Sequence, residues 1–105
     1  MTNTNLPIAC TLSEPELRQR RKTIIDVFRK MRVTVTELPD GYAYNFAATS
    51  EALTQVAQLV DMERQCCPFL KFNIVIEAGK APMRLEVTGP EEAKKVIAQF
   101  FNFAE

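Results

Sequence analysis

Twice along this chain the apolar residues change from helical spacing to strict alternation, and each change opens a pair of strands joined by a turn. Val33 and Val35 alternate with Thr34 and Thr36, and Tyr42, Tyr44 and Phe46 alternate with Ala43 and Asn45. Between them Pro39-Asp40-Gly41 is a strong turn signal, so the two runs read as a hairpin. The second hairpin sets Phe72, Ile74 and Ile76 against Asn73 and Glu77, turns through Ala78-Gly79-Lys80-Ala81-Pro82, and returns with Met83, Leu85 and Val87 against Arg84 and Glu86.

The segments around the hairpins read as helices. Ser13-Glu14-Pro15-Glu16 carries a capping hydroxyl, a proline and acidic residues of a first turn, and the helix it opens runs to about Met31. Its expected apolar stripe is Leu17, Ile24, Val27, Phe28 and Met31, with Arg18, Arg20, Arg21, Lys22, Arg29 and Lys30 on the other face. Ser50-Glu51 opens a second helix with Leu53, Val56, Ala57, Leu59 and Val60 inward. Pro68 disfavours helical geometry at Cys67 and ends it there. Gly89-Pro90-Glu91-Glu92 starts a last helix that buries Ala93, Val96, Ile97, Phe100 and Phe101.

The order is α-ββ-α-ββ-α. Without the first helix it is a strand-strand-helix unit used twice. Every strand has one apolar and one polar face, which predicts a single α+β domain: a four-stranded antiparallel sheet with helices on one face, preceded by a polar leader over residues 1–12. The open face is expected to carry Thr34, Thr36, Ala43, Asn45, Asn73, Val75, Glu77, Arg84 and Glu86, either as a solvated surface or as the interface of a homodimer or a ligand surface.

Composition narrows the function. Thirteen basic residues balance thirteen acidic ones, so overall charge does not point to nucleic acid. Seven basic residues between Arg18 and Arg32 form a local stripe, read chiefly as a solvated helix face. No apolar run approaches the roughly 20 residues that span a bilayer, and the start has no targeting pattern, so a cytoplasmic protein without a membrane partner is expected. With no histidine, imidazole triads and His-rich zinc sites are excluded. Three cysteines argue for reduced thiols rather than a disulfide framework.

Chemistry concentrates at Glu63-Arg64-Gln65-Cys66-Cys67-Pro68-Phe69. Thiolates bind soft metals and attack electrophiles, and proline fixes the backbone beside them. Glu63 precedes Cys66 by three residues and Cys67 by four, so its carboxylate can share a helix face with a thiol. If the leader brings Cys10 across, three sulfurs and a carboxylate converge on zinc, monovalent copper or mercury. Three features oppose this. Adjacent side chains usually diverge, a helix C-terminus disfavours thiolate unless Arg64 or Lys71 offsets it, and buried cysteines often serve as small hydrophobes. Glu63 by default is a surface residue. Phe103, beyond what one helix face buries, is a candidate partner contact.

The element order and the Cys66-Cys67-Pro68 helix end resemble the pterin-4a-carbinolamine dehydratases, in which a tandem histidine followed by proline ends the second helix and contributes to the pterin site. The likeness runs loosely from Tyr42 to Phe72 and implies a fold. With cysteines in place of both histidines it does not imply dehydration. Cys10-Thr11-Leu12, the Glu63 to Phe69 motif and Thr88-Gly89-Pro90 also resemble a set of small uncharacterised bacterial proteins, which imply no activity. The functional expectation is a thiol site that binds a soft metal or senses oxidant through Cys66 and Cys67, aided by Cys10 and Glu63, with Arg64 and Phe69 as further site residues. The alternatives are a non-enzymatic interaction module with structural cysteines and a small-molecule enzyme on a dehydratase-like scaffold.

Overall fold

The computed structural model describes residues 15–79 and 81–102, so Cys10, Phe103 and the side chain of Leu17 lie outside the described residues. Its elements are α1 (Pro15–Met31), β1 (Thr34–Leu38), β2 (Gly41–Phe46), α2 (Ser50–Cys66), β3 (Lys71–Val75), β4 (Met83–Thr88) and α3 (Ala93–Ile97), the last continued by a wider helical turn over Ala98–Asn102. The four strands form one antiparallel sheet in the order β1-β2-β4-β3. This is the α+β arrangement that the alternation implies. No helix among the described residues is long and apolar enough to cross a membrane.

Register follows from which faces are buried. Tyr44 lies opposite Val35 on one side and Leu85 on the other, and Leu85 lies opposite Ile74, so one apolar row crosses the sheet. The helices cover it from Tyr44 to Ile74, while Val33 and Val35, expected inward, are exposed at the β1 edge. Phe28 from α1, Val56 and Leu59 from α2, and Ile97 and Phe101 from the C-terminal helix pack onto it. On the other side, Thr34 accepts a hydrogen bond from Asn45, while Glu86 accepts from Asn73 and pairs with Arg84. Gly41 is required where β2 meets β4, since a Cβ there would stand 1.9 Å from the Val87 carbonyl oxygen. Thr49 caps α2 by accepting from the Ala52 amide.

Several expected positions shift. On α1 Ile25 is buried and Val27 is exposed, and on α2 Ala52 is buried while Ala57 is exposed. The buried stripe of α2 is Ala52, Val56, Leu59, Glu63 and Cys66, a regular alternation of four- and three-residue steps that passes through the carboxylate. Strand β3 stops at Val75, leaving Ile76 exposed and Glu77 off the sheet. The basic stripe of α1 is partly dismantled. Arg21 turns inward, and Arg29 and Arg32 donate to the carbonyls of Phe100 (2.8 Å) and Asn102 (2.6 Å), where the final helical turn leaves acceptors unpaired.

Candidate metal and thiol site

Helices α1 and α2 pack together, and at the C-terminal end of α2 their contact is polar. Arg21, expected on the solvated face, is buried, and Glu63, expected at the surface, has no solvent exposure. They meet as a bidentate pair, Nε to Oε2 at 2.6 Å and Nη2 to Oε1 at 2.8 Å. Phe100 places its ring beneath the guanidinium, 4.2 Å from the ring centre to Cζ. Burial of Arg21 works against its charge, yet the hydrogen bond and Coulomb attraction of Glu63 outweigh it and hold the guanidinium above its ordinary range.

The two cysteines converge instead of diverging. Cys66 is the last residue of α2, and Cys67 caps it with φ −126° and ψ 76°, outside helical geometry, as the following proline demands. The Cys67 amide still donates to the Glu63 carbonyl at 2.7 Å, so the chain turns without leaving the helix end. This bend brings Cys67 Sγ within 3.9 Å of Cys66 Sγ and 3.7 Å of Glu63 Oε1. Arg21 Nη2 donates to Cys67 Sγ at 3.7 Å. The ligand atoms of Glu63, Cys66 and Cys67 lie within 4.8 Å of one another, and all three residues are buried, a cluster that could hold a metal ion.

The thiols differ in state. Cys67 is a free buried thiol, whereas Cys66 is disulfide-bonded, which corrects the expectation of uniformly reduced cysteines. Burial pushes the Cys67 thiol up to about 11, with the Glu63 carboxylate adding to the rise and Arg21 opposing it. The expected obstacle to thiolate was the helix terminus and the expected relief was Arg64 or Lys71. In the structure the cation that touches the sulfur comes from α1. Arg64 is exposed and pairs with Asp61 at 2.9 Å, and Lys71 is exposed on β3. Phe69 is buried against the cysteines with Ala93, Leu70 and Val96, walling the site with apolar surface.

Arg21 is the residue that sequence reasoning missed. Its signal was spacing: Arg21, Ile25 and Phe28 follow the same four-and-three step as the buried stripe of α2. A separate cavity of about 260 Å³, lined in part by Thr49, Leu53, Ile76, Glu77 and Met83, includes none of the cluster residues. Comparison with family models, curated proteins and solved structures finds no match.

Proposed function

We propose that this domain binds a soft or borderline metal ion through Cys66, Cys67 and Glu63 when its thiols are reduced. The observation that carries the reading is the convergence of two sulfurs and a carboxylate oxygen in a buried, apolar-walled cluster. Thiolate and carboxylate donors suit such ions, and an apolar wall strengthens their electrostatic hold. A purely packing role for the cysteines accounts for their burial, but it does not account for a buried carboxyl group and guanidinium placed against them.

The state of Cys66 supports a linked redox reading. While Cys66 is held in a disulfide its sulfur is not a thiolate donor, so an external dithiol that reduces the bond, becoming a disulfide itself, would make the site competent. Metal binding then reports the redox state.

Native mass spectrometry of the reduced protein tests this, with zinc, cadmium and monovalent copper offered separately. One ion per chain is expected in the wild type, lost in the Cys66→Ser, Cys67→Ser double variant and in the oxidised protein. Equal affinity in wild type and double variant removes the reading.

A further inference from the structure

The spacing of the donors and the fixed charge beside them narrow the ion. Two sulfurs bound to one tetrahedral centre through bonds of about 2.3 Å stand about 3.8 Å apart, and a sulfur and an oxygen on such a centre stand about 3.6 Å apart. With Cys66 held in its disulfide, the distances are already 3.9 Å between Cys66 and Cys67 and 3.7 Å between Cys67 and Glu63, and all three donor atoms lie within 4.8 Å of one another. A linear two-coordinate ion would require the same sulfurs to lie about 4.6 Å apart, on opposite sides of the metal. Neighbouring cysteines held at the end of one helix and packed against Phe69 and Ala93 oppose that spreading.

Charge gives an independent constraint. With both thiols ionised the donors carry three negative charges, and the buried guanidinium of Arg21 cancels one. A divalent ion neutralises the remaining two, whereas a monovalent ion leaves one charge uncompensated among residues with almost no solvent exposure. Arg21 has a geometric role as well. Holding both carboxylate oxygens, it fixes the orientation of Glu63 toward the sulfur, as outer-shell partners of metal ligands do.

We infer that the ion taken by this site is divalent and of the zinc and cadmium class, held three- or four-coordinate by the sulfurs of Cys66 and Cys67 and an oxygen of Glu63. Arg21 acts as the positioning and charge-setting residue. The inference rests on the metal-binding reading above and selects among the ions it allows. It disfavours linear coordination of monovalent copper or mercury.

Divalent cobalt is the probe. Added to the reduced full-length protein, it is expected to give the intense visible bands of a four-coordinate site with thiolate donors, abolished by one equivalent of zinc or cadmium. Glu63→Gln removes one negative charge, so the ratio of zinc affinity to cuprous affinity should fall roughly tenfold or more, with circular dichroism checking that the variant is folded. Weak bands typical of six oxygen ligands, or an unchanged ratio in folded Glu63→Gln, would overturn the inference. Should that variant not fold, X-ray absorption of the zinc-loaded wild type decides. Two sulfurs and lighter atoms support the inference, and no sulfur contact overturns it. Failure to bind any of zinc, cadmium, cobalt or monovalent copper sinks the metal-binding reading itself, while binding in linear geometry sinks only the choice of ion.

Discussion

The two ends of the α1 and α2 contact are built on opposite principles. At one end Phe28 meets Tyr44 and Phe101 edge to face, with ring centres 5.3 Å and 6.0 Å apart, over Leu59 and Leu85. At the other, Arg21, Glu63 and Cys66 stand on the same helical stripes, with Cys67 at the cap beside them. Aromatic and aliphatic burial stabilises the fold in proportion to the area removed from water. A buried ion pair does not: its attraction roughly offsets the loss of hydration, and an apolar replacement of similar volume is often as stable or more so. The apolar end therefore explains why the chain folds. The polar end calls for a reason beyond folding, and the ion binding proposed above would supply one.

The largest expected effect breaks that symmetry directly. Glu63→Leu strands the guanidinium of Arg21 in the interior and should cost about 3–5 kcal/mol in denaturant unfolding. Leu59→Ala, at the apolar end, should cost a similar amount, roughly 2–5 kcal/mol, through lost burial and the cavity left behind. Size alone does not distinguish the two ends; rescue does. Adding Arg21→Met to Glu63→Leu should recover most of the lost stability while metal binding stays abolished. If the double variant remains as unstable as the single one, the pair is structural and the contrast between the two ends fails.

Titration gives a smaller effect confined to the polar end. The Cys67 thiol is held at about 11 in the folded protein by burial and by Glu63, above the ordinary value of 9.0. The folded state thus prefers the protonated thiol. Its stabilising contribution is complete below about pH 9 and is lost as pH rises toward 11, a decline on the order of 2 kcal/mol. Other groups titrate over the same range, so the measurement is the difference between wild type and Cys67→Ala. The wild type should lose stability more steeply between pH 9 and 11, and parallel curves would show that the thiol ionises as freely folded as unfolded.

Local signals that agree with one another made most of the fold legible. Alternation at Tyr42, Tyr44 and Phe46, the turn at Pro39-Asp40-Gly41 and the proline after Cys67 each specify a short stretch, and the sheet is their simplest joint solution. The partner of Glu63 was not legible in the same way. Arg21 lies 42 residues away, and residue type placed it among solvated charges although its spacing from Ile25 and Phe28 marked it as inward. Hydrophobicity and periodicity disagreed at that position, and tertiary pairing decided in favour of periodicity. The convergence of Cys66 and Cys67 was hidden for another reason: it depends on backbone angles at one residue, which the proline restricts without fixing.

The smallest expected effect sharpens the comparison from outside the site. Arg64 stands next to Glu63 in sequence and belongs, on sequence grounds alone, among the site residues. Its guanidinium instead meets Asp61 in solvent, with both side chains more than three-fifths exposed. Water screens such a pair, and ordering two long side chains offsets much of its attraction. Arg64→Ala should therefore change stability by less than about 0.5 kcal/mol and leave metal affinity where it was. The Arg21–Glu63 pair uses the same chemical groups, so the contrast between the two pairs isolates burial as the cause. A clear loss of metal affinity in Arg64→Ala would mean that surface charge next to the helix end tunes the site, and the contrast between the buried and the exposed pair would fail.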